Sequence, residues 1–257
     1  MRPMGKRTTY GEARRTVAAA ARTLGEGLAE TLYPTRCAVC DRPGYLLCPR
    51  CEAKLRFVDY WAACPRCGSA WGRLQCTECN PVSLGARGLD DQPFATCRNA
   101  LAYDERAKRI VSAYKDQGEQ RLAGPMSRIM AAQVSPELAG LVRLVTFVPA
   151  TGRALRRRGF DHGLLLARGV GAELGKPPLP TLERPRPLDQ RALGTRERMA
   201  NMRGAFSPRE DALASGEGAA LLLVDDVMTT GSTLADAAAA LSRAGAGPVH
   251  ALTFAHA

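Results

Sequence analysis

Asp225 and Asp226 stand side by side in the stretch LLLVDDVMTTGSTLADAAAAL, residues 221–241. Four apolar residues lead into the two acids, a Thr/Gly/Ser-rich turn follows, and a helical pattern closes the stretch. A strand ending in two carboxylates sets them at the carboxyl edge of a parallel sheet, where α/β proteins bind ligands. Gly231 lets the backbone turn sharply and come close to a ligand. Thr229, Thr230, Ser232 and Thr233 bring hydroxyl donors. The next helix adds unpaired N–H groups and the positive end of its dipole. Together these features make a phosphate cradle. A nucleoside triphosphatase loop would also carry the GK[ST] lysine that reaches the outer phosphates, and no lysine stands in 229–233. The pattern therefore suits a terminal monophosphate in the loop and sugar hydroxyls on the carboxylates, and a ribose 5-phosphate fits both. The bland alternative is an ordinary strand–turn–helix with a polar turn.

A second chemistry is written in the cysteines. Eight of the nine fall in four CxxC pairs: Cys37/Cys40, Cys48/Cys51, Cys64/Cys67 and Cys76/Cys79. Each CxxC can wrap a tight turn whose thiolates converge on one metal, and two such turns complete the closed tetrahedral four-thiolate site of structural zinc. Two zinc ions are expected. The seven residues between Cys40 and Cys48 and the eight between Cys67 and Cys76 suit successive ribbons, while the 12 between Cys51 and Cys64 also permit a cross-braced pairing. A redox CxxC needs one active pair on a βαβ frame rather than four in a Pro/Arg/Gly-rich stretch. So few apolar residues surround the pairs that metal binding must supply much of the local folding free energy. Cys97 lies outside the array, and burial as a small hydrophobe is its expected role.

The elements that must position these groups follow from patterning. The chain has 257 residues, 46% of them apolar, enough for one sizeable core and a small module. Net charge is +11, and residues 141–210 hold 14 Arg and Lys against 6 Asp and Glu. That balance suits an anionic partner, a phosphorylated substrate or nucleic acid; a solvated Arg-rich surface is the plain alternative. No apolar run approaches the length of a membrane span, and Arg14, Arg15 and Arg22 interrupt any signal-peptide core near the N-terminus. A cytoplasmic location is expected.

Val17, Ala21, Leu24, Leu28 and Leu32 fall at helical spacing, predicting one amphipathic helix over 11–32 within an N-terminal segment 1–33. The cysteine module spans 34–82, and residues 80–94 read as a Pro/Gly/Asp-rich linker. From residue 95 to the C-terminus the rhythm is that of α/β. ATCRNALAYD predicts a strand before a helix over 105–117, and a second helix runs through Met126 and Met130. LVRLVTFVPA predicts a buried strand, and ARGVGAELG a helix stopping at Gly175. Residues 176–216, rich in Pro and Arg, read as a long exposed loop. AALLLV predicts a strand, residues 234–244 a helix and VHALTFA a last strand. Strand, helix, strand in this order implies a parallel α/β sheet flanked by helices. Trp61 and Trp71 could stack on bases, but packing against the knuckles is the favoured expectation. His162, His250 and His256 are scattered, with no acid–base role evident.

LLLVDDVMTTGST resembles, over its whole length, the phosphoribosyl-pyrophosphate signature of type I phosphoribosyltransferases. With the cysteine module in front, residues from about Leu28 onward resemble the ComF family, a zinc ribbon joined to a phosphoribosyltransferase domain and associated with DNA uptake in competent bacteria. ETLYPTRCAVC is similar to that family's approach to its ribbon, RALRRRGFDHGLLLARGV to its RRGFNQ segment and YKDQG to a lysine–glycine segment. LDQRALGTRERMANMRGAF is similar to its Gln/Leu/Arg/Asn/Phe stretch, here Gln190, Leu193, Arg198, Asn201 and Phe206. Two departures stand out. Phe147-Val148-Pro149-Ala150 replaces a Val-Pro-Val-Pro run, and Asp161-His162 replaces Asn-Gln, which bears on the pyrophosphate contacts more than on the ribose-phosphate cradle.

The resemblance implies a type I phosphoribosyltransferase-like domain over 95–257 that binds phosphoribosyl pyrophosphate with Mg2+ and passes the phosphoribosyl group to a nitrogenous acceptor. Asp225 and Asp226 would hold the 2- and 3-hydroxyls, Thr229, Thr230, Gly231, Ser232 and Thr233 the 5-phosphate, and Arg153, Arg156, Arg157 and Arg158 the leaving pyrophosphate. The Arg/Pro-rich loop 183–203 would close over the site. The competing expectation is a catalytically silent accessory that binds single-stranded DNA through its ribbons and basic face and works beside DNA-uptake proteins.

Overall fold

A computed structural model describes residues 34–184, 204–209 and 218–257. The helix expected over 11–32 and the part of the 183–203 loop holding Gln190, Leu193, Arg198 and Asn201 lie outside the described residues. Four strands, β1 (Thr96–Ala102), β2 (Leu144–Phe147), β3 (Leu221–Met228) and β4 (Val249–His256), form one parallel sheet in the order β1-β4-β3-β2. The expected α/β class therefore holds. β3 and β4 are central and buried along nearly their whole length, as their continuous Leu/Val/Ala/Phe runs require.

Eight helices are described: α1 (Pro49–Glu52), α2 (Pro81–Ala86), α3 (Glu105–Lys115), α4 (Ala123–Ala131), α5 (Pro136–Leu141), α6 (Gly152–Arg158), α7 (His162–Leu174) and α8 (Ser232–Arg243). Asp104 caps α3 by accepting from the Arg106 and Ala107 N–H groups, both at 3.0 Å. Asp161 caps α7 by accepting from Leu164 N–H at 3.3 Å. Period-two alternation splits the sheet between two cores. Leu222, Val224, Leu252 and Phe254 face α3, α4 and α7, whereas Leu221, Leu223, Val249 and Ala251 face α8.

The two cysteine modules straddle the β1 edge. Leu47, Cys48, Cys51 and Leu55 join the core of α3, α4 and α7, while Cys64 and Cys67 join that of α8. Between them residues 56–58 run antiparallel along β1, Ala102 N donating to Arg56 O at 2.8 Å and Val58 N to Ala100 O at 3.0 Å. Gly68 is pressed so close that a Cβ there would lie 2.6 Å from Asn99 Nδ2. The ribbons thus cover a strand edge that would otherwise stay open to pairing.

Several expectations change. Residues 81–86 of the expected linker form α2, begun by Pro81 and capped by Asn80, whose side chain accepts from Ser83 N at 2.8 Å. The loop read over 176–216 is not free throughout. Leu179 N donates to Val145 O at 2.8 Å, Thr181 is buried against Thr146, and Leu182 bridges Pro208. β2 is an edge strand and this segment satisfies its outer groups. β3 runs on past the acidic pair to Met228 rather than ending at it.

Candidate active site and zinc centres

Alternation along β3 sends Asp226 to the face of α3 and α7, and the Asp225 carboxylate lies close to it and to His162 at the start of α7. Both are buried, Asp226 to 2% exposure. Asp225 Oδ1 folds back to accept from Asp226 N at 2.8 Å. The last residue of α3, Lys115, places its Nζ 2.5 Å from Asp226 Oδ2. Burial would push the Asp226 carboxyl up, but the Lys115 ammonium and then His162 outweigh it and hold it below the usual range. Burial, and then the neighbouring Asp226 charge, pushes Asp225 well above its usual value, and Lys115 offsets only part of that rise. The two adjacent buried carboxylates are thus driven in opposite directions, Asp226 towards the charged form and Asp225 towards the neutral one.

His162 overturns its expected irrelevance. As the first residue of α7, it brings a ring nitrogen to the acidic pair, and the ligand atoms of His162, Asp225 and Asp226 lie within 4.8 Å of one another. Burial, partly offset by Asp226 and reinforced by Lys115 and Arg158, lowers it to about 4. The imidazole is therefore neutral near pH 7 and able to accept a hydrogen bond or ligate a cation. Tyr114 Oη, from α3, donates to His162 O at 2.7 Å and fixes the start of α7. Spacing gave no sign of this meeting, because β2 and α7 are joined to β3 only through the sheet.

The loop after β3 has the expected form. Gly231 sits at φ 74°, the left-handed region that favours glycine, and begins α8. Gly231 offers no side-chain cap; Ser232 N donates to Thr230 Oγ1 at 3.4 Å, and the first turn of α8 faces the loop. Thr230 Oγ1 lies 2.9 Å from Ser232 Oγ, and Thr229 and Thr230 are exposed. Carboxylates and cradle thus share one end of the sheet.

The arginines divide. Arg158, only 13% exposed, lies 3.5 Å from both Asp116 and the His162 Nδ1. Arg157 reaches Asp116 from outside at 3.5 Å. Arg153 and Arg156 are exposed on α6, with Arg156 lying over Gly152 of its own helix. Of the expected cluster, Arg158 alone is brought against the acidic pair's neighbours. Lys115, quoted within YKDQG but given no role from the sequence, is the cation that touches the pair itself.

The cysteines pair sequentially. Cys37, Cys40, Cys48 and Cys51 form one cluster and Cys64, Cys67, Cys76 and Cys79 the other, each with its sulfurs within 4.8 Å. A tetrahedral zinc with bonds of about 2.3 Å sets its sulfurs about 3.8 Å apart. Cys40–Cys48 at 3.7 Å, Cys67–Cys76 at 3.5 Å and Cys64–Cys79 at 3.9 Å fit that cage. In the first cluster, burial raises Cys37 but backbone N–H groups outweigh it, to about 7, while burial pushes Cys51 up to about 12. Four thiols this close cannot all ionise without a cation, and zinc supplies it. Cys97 is fully buried, as expected. Trp61 and Trp71 do not pack on the knuckles: they are 72% and 78% exposed. No described helix is long and apolar enough to cross a membrane.

Comparison with known proteins agrees with the zinc centres and adds a distant relationship along most of the chain. Residues 28–81 match the family described as Double zinc ribbon domain. The chain is also similar to DNA utilization protein YhgH of Salmonella typhi and to DNA utilization protein YhgH of Salmonella typhimurium strain LT2. Each is 28% identical over 229 residues, covering 84% of this chain and 94% of the relative.

Proposed function

We propose that this protein is a ComF-like phosphoribosyltransferase-fold protein that binds phosphoribosyl pyrophosphate with Mg2+ and transfers the phosphoribosyl group to a nitrogenous acceptor, in a process that uses DNA. One observation carries the reading: a buried carboxylate pair, with Lys115 on Asp226, and a helix N-terminus begun by a left-handed glycine share one end of a parallel sheet. The pair accepts from the sugar hydroxyls and orients the ring. Hydroxyl donors suit it because they need not displace the Lys115 charge from Asp226. The 229–233 loop binds the 5-phosphate through backbone N–H and hydroxyl groups. Arg158 and, from the surface, Arg157 are placed to receive pyrophosphate charge. The acceptor nitrogen forms its bond to C1 as the C1–oxygen bond to pyrophosphate breaks, the electron pair leaving with pyrophosphate and the acceptor's N–H proton passing to solvent. Mg2+ bound with the donor would supply positive charge to the pyrophosphate, beside that of Arg158 and Arg157.

The similarity to DNA utilization proteins supports linking this chemistry to DNA handling. Ligand competition tests the reading. Ribose 5-phosphate is expected to compete with the donor, whereas ATP, which needs a lysine-bearing triphosphate loop, is not. Equal competition by ATP would sink it.

A second reading rests on a different observation. Phe57, Tyr60, Trp61 and Trp71 are exposed within the ribbon module, with Arg98 stacked 4.4 Å from the Tyr60 ring. Exposed aromatics among cations suit the bases and phosphates of single-stranded DNA. Affinity for an oligonucleotide should fall steeply with salt and drop in Trp61→Ala/Trp71→Ala. A salt-independent affinity, or one unchanged in that variant, would exclude this surface.

A further inference from the structure

One side chain ties the 229–233 loop to the second zinc ribbon. Arg87 follows α2 and spreads its guanidinium over three backbone carbonyls: Nε donates to Ser83 O at 3.1 Å, Nη1 to Thr230 O at 2.7 Å and Nη2 to Glu78 O. Glu78 lies between Cys76 and Cys79, so its carbonyl sits where metal binding fixes the knuckle. Thr230 is the second residue of the loop. In a trans peptide the carbonyl and the following N–H point opposite ways. Anchoring the Thr230 carbonyl on Arg87 therefore turns the Gly231 N–H to the other side of the loop.

A second, apolar link runs in parallel. Cys97 N donates to Arg66 O, inside the Cys64/Cys67 knuckle, at 2.7 Å. The Cys97 Sγ touches Met228 Sδ at 3.8 Å, and the Met228 Cε lies 2.9 Å from where a Cβ on Gly231 would stand. The first ribbon is anchored elsewhere. Its bonds run to α3 and α4, from Arg109 to Val39 O at 2.9 Å and from Arg128 to Glu52 at 3.3 Å.

We infer that the second zinc ribbon is a positioning element of the 229–233 loop, that Arg87 is the positioning residue joining them, and that metal at Cys64, Cys67, Cys76 and Cys79 sets the loop's affinity for a phosphorylated donor. The inference rests on the reading of that loop as a phosphate cradle. It makes the ribbon part of the site's architecture rather than an appended module.

The test uses the full zinc-loaded chain, with phosphoribosyl pyrophosphate and Mg2+ as the probe. Arg87→Ala keeps two equivalents of zinc and loses about tenfold in donor affinity, the scale of one charged hydrogen bond. Amide exchange at 231–234 rises in the same variant. Arg87→Lys recovers only part of the affinity, because an ammonium cannot fork across three carbonyls. Cys76→Ser reproduces the loss, and Arg109→Ala, which frees the first ribbon's anchor, does not. Unchanged affinity and exchange in Arg87→Ala, or an equal loss in Arg109→Ala, would overturn the inference. If the wild type binds no donor, the donor reading fails on its own, and exchange at 231–234 in Arg87→Ala still decides the coupling.

Discussion

At the scale of single residues the site is organised around one shared charge. Lys115 pairs with Asp226, burial raises Asp225 well above its usual value, and His162 is kept neutral beside them. The histidine carries a measurable signature. An unfolded histidine takes up its proton near pH 6.5, and folded His162 does so only near 4. Between these values the unfolded chain binds more protons, so stability present at pH 7 is lost as pH falls through the window. The loss attributable to His162 is at most about 3 kcal/mol. In His162→Gln the difference between unfolding free energies at pH 7 and pH 4.5 should shrink by part of that amount. His250 and His256, also lowered by burial, are common to both proteins and cancel. An unchanged pH slope would contradict the buried, neutral assignment. Asp225, Asp226 and the threonine loop were legible in the sequence because they are contiguous, and one strand–turn–helix sets them all. Lys115 and His162 were not, since their roles arise only when α3 and α7 dock on the face of β3.

At the scale of elements, α7 is the piece that brings His162 and the Asp161 cap into place, and its seating is tight. A Cβ at Gly169 would stand 2.2 Å from Ser127 Oγ on α4, and one at Gly163 2.4 Å from Val148 O. Gly169→Ala should therefore destabilise the chain by about 1–3 kcal/mol, the usual cost of overpacking. Chemical denaturation measures this directly, and a stabilised variant would show that α7 packs differently. The strands and long helices were readable from periodicity. β2 was predicted from its β-branched apolar run and α7 from its stop at Gly175. What escaped were pieces whose order depends on partners. α2 looks like linker because its residues are Pro, Ser and Gly, and it is held by the Asn80 cap and the Arg87 fork. Residues 178–182 look like loop because their pairing is with β2 and with 206–209, distant in sequence. The indoles of Trp61 and Trp71 were misjudged for a related reason: a metal-centred knuckle has no large apolar interior to receive them.

At the scale of the whole molecule the two ribbons clamp the β1 edge from opposite faces and share cores with the helices there. Cysteine spacing revealed two zinc sites, but not that each would enter a different core. Metal removal should therefore act on the entire fold. A strong chelator is expected to lower the melting temperature of the main transition, because Cys48, Cys51, Cys64 and Cys67 are buried in those cores. Scanning calorimetry showing an unshifted main transition, with a separate small one for the ribbons, would instead mean the modules are independent.

Asp225, Asp226 and the 229–233 loop are proposed to form a working donor site. The most direct measurement is calorimetric titration of phosphoribosyl pyrophosphate with Mg2+ into the zinc-loaded wild type and into Asp225→Asn/Asp226→Asn. Saturable binding by the wild type, lost in a double variant that keeps its zinc and its fold, is the predicted result. A folded, zinc-loaded wild type that takes up no donor, or a double variant that binds as tightly, would contradict the account.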